Sequence, residues 1–368
     1  MDSAETIAIE QQLEIPTYDK MPMALVRGEG PYVWDAEGTK YLDFYGGHCV
    51  SLLGHCHPNV VSAVQDQAEQ LIFYSNVAHS PVRARAAQRL VDLAPDGLGH
   101  VFFANSGSEA NETALKLARK YTGRSGVVAL EGGWHGRTLG SLATVHDDAY
   151  RAPYQDVLPE TTWVPMGDLD AAEKALASEE VAAVILEPIQ SIAGMRKVPA
   201  EYVQGLRTLC DRYGTLLIFD EVQTGVGRTG TFSMAEPLGA TPDLISLAKS
   251  LGAGVPVSAV LVDDAVAATV ESGDQGSTFG GGMLAMAAVE ATLETLIEDD
   301  LMSRAPEIHA QVVEQAGPVV EAVRGRGALM GLKLDRAAAP VLKALRARGV
   351  LAGGSNDPQV MRLMPPLV

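Results

Sequence analysis

Leu216-Leu217-Ile218-Phe219-Asp220-Glu221-Val222-Gln223-Thr224-Gly225 opens as an unbroken apolar run and then turns abruptly to a carboxylate. A short leucine- and isoleucine-rich run of this kind reads as a strand buried on both faces, the usual setting being a parallel sheet covered by helices. Two further runs share the design. Val184-Ile185-Leu186 leads into Glu187, and Leu244-Ile245-Ser246-Leu247-Ala248 leads into Lys249. In an open parallel sheet, ligands bind beyond the carboxyl ends of the strands, so Glu187, Asp220 and Lys249 should converge on one cleft. Any one of them alone reads as a solvated strand end. Together they mean more, because a buried acid and a buried amine are costly without partners or purpose.

Working outward, Val101–Ala104, Val127–Leu130, Val181–Leu186, Leu216–Phe219, Leu244–Leu247 and Ala259–Val262 alternate with helical patterns. The spacing predicts an α/β fold with a largely parallel sheet and helices on its faces. The first fifty residues differ. There Val33-Trp34-Asp35 and Lys40-Tyr41-Leu42 flank the turn residues Ala36-Glu37-Gly38-Thr39, which predicts a small antiparallel hairpin. After about Ile297 two helical segments surround one or two strands, including Leu329–Leu334. The expected division is therefore 1–50 as the first part of a small domain, 51–297 as a large domain, and 298–368 as the rest of the small domain.

At 368 residues the chain can bury more than one core. No stretch approaches the roughly 20 apolar residues of a membrane helix. Met1 to Gln12 is acidic and lacks the order of a signal peptide, so a cytoplasmic location is expected. A net charge of −18 argues against nucleic acid or anionic membrane as partners. Small anions must then be drawn by local arginines. Cys49, Cys56 and Cys210 cannot all pair and lack metal-ligand spacing, so idle thiols and no metal site are expected.

Asn105-Ser106-Gly107-Ser108-Glu109-Ala110 lies between a strand and a helix whose apolar positions include Ala114, Leu115 and Ala118. Ser106 or Ser108 can cap that helix, and Gly107 allows close backbone approach, so the exposed N–H groups form an anion seat. The pattern is neither the lysine-bearing loop of nucleotide triphosphates nor the dinucleotide GxGxxG. A single phosphate group suits it better.

Five motifs in order, Asn105–Asn111, Trp134–Thr138, Glu187–Gln190, Asp220–Gly225 and Ala248-Lys249, resemble the class III (ω-amino acid) aminotransferases, most closely the branch acting on acetylornithine, succinylornithine and ornithine. The resemblance covers nearly the whole chain. It implies the type I fold of pyridoxal 5′-phosphate (PLP) enzymes, with a mostly parallel seven-stranded sheet, and a homodimer with active sites at the subunit interface. It further implies that Lys249 carries the cofactor as a Schiff base and shuttles a proton, Asp220 pairs with the pyridinium nitrogen, and Gln223 bonds the phenolic oxygen. Ser106, Gly107 and Ser108 would hold the phosphate, joined by Thr278 of the partner subunit. Trp134 would lie against the pyridine ring. Arg137, Ser277 and Tyr18 would contact substrate, and His48 would lie close to the substrate entrance, where it reads as a structural histidine. Glu187 would mask Arg362 while an ω-amino donor is bound and release it for 2-oxoglutarate.

The expected reaction is transfer of the terminal amine of an Nα-acylated ornithine, N-acetylornithine first, to 2-oxoglutarate, as in arginine biosynthesis. Ornithine, succinylornithine, an acylated lysine and 4-aminobutyrate stay open as donors. Glutamate-1-semialdehyde aminomutase shares the implied fold. A non-catalytic binding protein on this fold is the alternative of a different class, and it would need neither Lys249 nor Asp220. Two stretches depart from the family's pattern: Ser191-Ile192-Ala193-Gly194 stands where relatives have Gly-Glu-Gly-Gly, and Gly282-Met283 where they have Asn-Pro. Relatives also continue past the position of Val368, so a shortened small domain is expected.

Overall fold

Alternate residues of the central strands belong to two different cores in the computed structural model, which describes residues 1–368. Ala183 and Ile185, with Leu216 and Ile218, pack beside Ala110, Ala114, Leu117 and Ala118 of the helix Gly107–Thr122. Val184 and Leu186, with Leu217 and Phe219, face the larger core on the other side. Period-two alternation between two apolar layers is why the strands read as unbroken hydrophobic runs. Phe219 is fully buried there, and its truncation to alanine should cost about 3–5 kcal/mol.

The main sheet has seven strands, in the spatial order His100–Ala104, Ser258–Val262, Leu244–Leu247, Leu216–Asp220, Val181–Leu186, Gly126–Leu130 and Thr161–Val164. Ser258–Val262 runs antiparallel to both neighbours, and the other pairings are parallel. All six expected strands are present within a residue of their expected limits. The edge strand Thr161–Val164 went unread because only Val164 is buried, and half-exposed Thr-Thr-Trp carries little apolar signal.

A four-stranded sheet joins the two ends of the chain. Its order is Leu25–Glu29, Tyr32–Asp35, Lys40–Asp43 and Val350–Leu351, the last pairing parallel to Lys40–Asp43 through Leu42 and Val350. The expected hairpin is there, closed by Asp35, whose Oδ1 accepts from the backbone N–H of Glu37 and Thr39. Leu25–Glu29 adds an unexpected strand; it is mostly exposed and shows no clean alternation. The C-terminal region has the two expected helices, Leu301–Gln315 and Ala338–Arg346, but four strands rather than one or two. Val320–Arg326, Leu329–Leu334 and Val360–Leu363 form a separate three-stranded sheet. No helix is long and apolar enough to cross a membrane.

Candidate active site

Register brings the three polar strand ends together. Phe219 pairs with Leu186 and Asp220 with Ser246, so Asp220 stands next to Glu187 and Lys249 follows three residues after Ser246. All three line a cavity of about 330 Å³, whose wall also includes Ser106, Gly107, Ser108, Trp134 and Gln223. Tyr18, Arg137, Ser277, Thr278 and Arg362 lie outside that lining.

The loop Asn105–Ser108 resolves the two capping possibilities. Ser106 is the N-cap, its hydroxyl accepting from Glu109 N. Ser108 Oγ instead meets Thr138 Oγ1 at 2.7 Å and accepts from the N–H groups of Arg137 and Thr138. The first turn of a helix leaves backbone N–H groups without intrahelical partners, here at Gly107 and Ser108 on the cavity wall. A Cβ on Gly107 would come within 2.8 Å of Val222, so only glycine lets this loop seat against the loop after Asp220.

Asp220 is buried and held on one oxygen by two donors. Its Oδ2 accepts from Asn111 Nδ2 at 2.7 Å and from His135 Nδ1 at 2.8 Å, while Oδ1 accepts from Val222 N. Sequence reasoning gave Asn111 and His135 no role. The available signal was spacing: Asn111 lies one helical turn beyond Gly107 on the same face.

Lys249 has a left-handed backbone, φ +46°, a conformation that costs of order 1–3 kcal/mol in a non-glycine residue and marks functional sites. Desolvation holds its amine below the usual lysine range, with the charges of Cys49, Asp220 and Glu187 acting in the opposite direction. Burial also pushes the Glu187 carboxyl up to about 7. Its Oε1 accepts from Trp134 N at 2.8 Å. Glu187 and Arg362 form no ion pair in this structure. Arg362 donates from Nη1 to Ser191 Oγ at 3.0 Å and from Nε to the Gly354 carbonyl.

The other side of the site is strained as well. Gly46, Gly47, His48 and Cys49 run through four successive left-handed conformations, φ +56° to +69°. Left-handed turns of this kind cost roughly 1–2 kcal/mol per non-glycine residue. The run places His48 against the Tyr45 hydroxyl. Burial, then the charges of Lys249, Arg362 and Arg137, press the His48 imidazole down to about 3. Arg137 is exposed, its guanidinium 5.5 Å from the Trp134 ring and 5.6 Å from the Tyr18 ring. Ser277 Oγ accepts from Asn105 Nδ2 and Gly280 N. Thr278 is exposed.

Several buried polar atoms of the wall have no partner: Gln223 Oε1, Asn111 Oδ1 and His135 Nε2. Unsatisfied groups gathered around one cavity call for a polar ligand. A phosphate seat, a carboxylate at depth, a desolvated amine and an aromatic wall fit PLP. This arrangement at the carboxyl ends of a seven-stranded sheet defines a PLP-dependent transferase.

The family model for aminotransferase class-III matches residues 15–368. The chain is 49% identical to an acetylornithine aminotransferase of Methanopyrus kandleri, over 100% of this chain and 95% of that protein. It is 42% identical to an acetylornithine aminotransferase of Mycolicibacterium smegmatis, over 95% and 90% of the two chains. Among solved structures, an ornithine aminotransferase from Toxoplasma gondii superposes with a TM-score of 0.93 at 32% identity, covering 100% of this chain and 91% of that one. An acetylornithine aminotransferase from Elizabethkingia anophelis gives 0.85 at 30% identity, covering 100% and 94%. The chain belongs to the class-III aminotransferases, and it is a PLP-dependent enzyme.

Proposed function

We propose that the chain transfers the terminal amine of an Nα-acylated ornithine, N-acetylornithine first, to 2-oxoglutarate, in the cytoplasm and as a step of arginine biosynthesis. The observation that carries this reading is the presence of two separate cations by the cavity: Arg137, whose guanidinium lies 5.5 Å from the Trp134 ring of the wall, and buried Arg362, held by Ser191 and Gly354. Two separated guanidinium groups suit two substrates whose carboxylates lie at different distances from the reacting carbon. The names of the relatives agree with the donor.

When bound, PLP supplies an electron sink for negative charge on the substrate carbon. The protein does the rest. Asp220, fixed by Asn111 and His135, would keep the ring nitrogen protonated, and Gln223 would donate from its side-chain amide N–H to the ring's phenolic oxygen. Gly107 and Ser108 take the phosphate on free N–H groups, with Ser106 holding the helix end. Trp134 and Val222 wall the ring. The desolvated Lys249 amine, unprotonated more readily than an exposed lysine, would hold the cofactor and, once displaced by the donor's amine, would be free to take a proton from the substrate carbon. Arg137, with Tyr18 beside it, would receive the donor's carboxylate, and Ser277 would contact substrate. Arg362 receives the α-carboxylate of 2-oxoglutarate, and Glu187 masks it during the donor half.

The same reading makes the active unit a homodimer in which Thr278 reaches the other subunit's phosphate. Phe279 and Phe73, ring centroids 5.2 Å apart, lie on an exposed apolar stretch with Ile72, Tyr74 and Val77. Such a patch is a typical subunit contact. The division into a large domain over 51–297 and a small domain made of 1–50 and 298–368 belongs to this proposal too, supported by the sheet that joins Lys40–Asp43 to Val350–Leu351.

Steady-state rates with 2-oxoglutarate on N-acetylornithine, N-succinylornithine, ornithine and 4-aminobutyrate test the reading. N-acetylornithine should give the highest kcat/KM. A higher value with free ornithine or 4-aminobutyrate would overturn the assigned donor.

A further inference from the structure

Arg362 is a buried cation with no carboxylate in ion-pairing reach. Its Nη1 donates to Ser191 Oγ at 3.0 Å, its Nε donates to the Gly354 carbonyl, and its Nη2 makes no hydrogen bond. The acid that could neutralise it, Glu187, turns its Oε1 to Trp134 N and makes no ion pair with Arg362. A guanidinium removed from water and met only by neutral acceptors is incompletely compensated, and it gains from any carboxylate that reaches it.

Both members of the Ser191–Arg362 contact are rigidly mounted. The Arg362 backbone makes two hydrogen bonds with Gly353. The turn after Ser191 is closed by Gly194 N and Met195 N on the Ser191 carbonyl, and it is tied to the other chain segment by Asn356 N on the Ile192 carbonyl and Arg324 on the Gly194 carbonyl. Ser191 is 0% exposed and Arg362 4%. A glycine at 191 would leave Nη1 without this partner.

We propose that Ser191 is a positioning residue for the acceptor half-reaction: its hydroxyl fixes the Arg362 guanidinium in a carboxylate-ready orientation without neutralising it. A hydroxyl suits this task because it accepts a hydrogen bond yet brings no charge to compete with an incoming carboxylate. Ser191 therefore sets how strongly the enzyme prefers dicarboxylic acceptors, while leaving the ω-amino donor untouched. The inference rests on the reading of Arg362 as the anchor for the acceptor's α-carboxylate.

The test uses the PLP-loaded enzyme and glutarate, a dicarboxylate that cannot react, with binding measured by calorimetry, alongside KM values for 2-oxoglutarate and for the donor. Ser191→Ala should raise the glutarate Kd and the KM for 2-oxoglutarate about tenfold, the factor that corresponds to losing roughly 1.4 kcal/mol from a hydrogen bond to a charged group. The donor KM and the rate of the donor half should stay within twofold. In an Arg362→Ala background, Ser191→Ala should have no further effect on glutarate binding, because the hydroxyl then has nothing to position. If glutarate binding weakens in Arg362→Ala but not in Ser191→Ala, or if Ser191→Ala acts equally with and without Arg362, the role of Ser191 is overturned and the reading of Arg362 survives in the first case. If Arg362→Ala leaves glutarate binding unchanged, the reading of Arg362 itself fails, and Ser191 falls with it.

Discussion

His135 Nδ1 lies 2.8 Å from Asp220 Oδ2, and both side chains are buried. With Asn111 on the same oxygen and Val222 N on the other, the carboxylate is held in one orientation. On the proposed reading, this negative group would face the positive charge of the cofactor ring.

Asp220→Asn should therefore keep measurable PLP binding yet lose transamination by at least a hundredfold, the loss expected when an electrostatic contribution of ~3 kcal/mol or more is removed. Absorbance of bound PLP and single-turnover rates separate the two effects. Turnover near that of the wild type would mean that the ring nitrogen has another partner.

Borohydride reduction of the PLP-loaded protein should fix the cofactor covalently on Lys249. The motive is the desolvated amine in a strained backbone position facing the cavity. Peptide mapping checks it, and a pyridoxyl label on another lysine would refute the assignment.

Arg362→Ala and Glu187→Ala should divide the two half-reactions. Loss of the guanidinium removes a charge-assisted partner worth roughly 2–5 kcal/mol in a desolvated site, so the acceptor half should suffer most. Glu187→Ala leaves Arg362 permanently open and should raise activity with glutamate as donor relative to the ω-reaction. Spectra of the pyridoxal and pyridoxamine forms follow each half separately. An equal fall of both halves in Arg362→Ala would leave Arg362 a structural role only.

The dimer is tested by complementation. Lys249→Ala and Thr278→Ala proteins, each impaired alone, should regain activity on mixing, since a heterodimer carries one site with both residues intact. Activity that sediments as a monomer would exclude the shared site.

His48 gives the fold a defined acid sensitivity. Its folded value of about 3 lies below the ordinary 6.5, so below pH 6.5 the unfolded chain binds the proton that the folded one refuses. The stability associated with a neutral His48 is present above pH 6.5 and is lost progressively as pH falls toward 3. Urea unfolding at pH 7 and pH 5 should show that His48→Gln loses less stability on acidification than the wild type, by up to roughly 2 kcal/mol. Identical pH dependence in the two proteins would remove His48 from the account.

What the sequence conveys about this site follows from which interactions are local. The convergence of Glu187, Asp220 and Lys249 on one cavity was legible because each lies at or within two residues of the end of its strand. Asn111 and His135 were not, since their meeting on Asp220 depends on how a helix, a loop and a strand separated by up to 109 positions pack together. The same holds for the partner of Arg362, though the residue itself was named from the sequence. Its contact with Ser191 spans 171 positions, and only the fold decides whether serine or glutamate meets it. In the frame of the protein, Thr161–Val164 and Leu25–Glu29 were missed for the opposite reason: their pairing is backbone-driven and their side chains are largely solvated.

The parallel pairing of Leu42 with Val350 also sets a timetable for biosynthesis. The hairpin Tyr32–Asp35 and Lys40–Asp43 leaves the ribosome early, yet the strand that completes its sheet is made near the far end of the chain. At about 5–20 residues per second, the wait is on the order of tens of seconds. Throughout that interval the Lys40–Asp43 edge is an unsatisfied strand, open to pairing with a neighbouring nascent chain. Chaperone dependence and low-temperature expression yield should accordingly be governed by this edge rather than by the seven-stranded sheet, whose strands are all complete by residue 262.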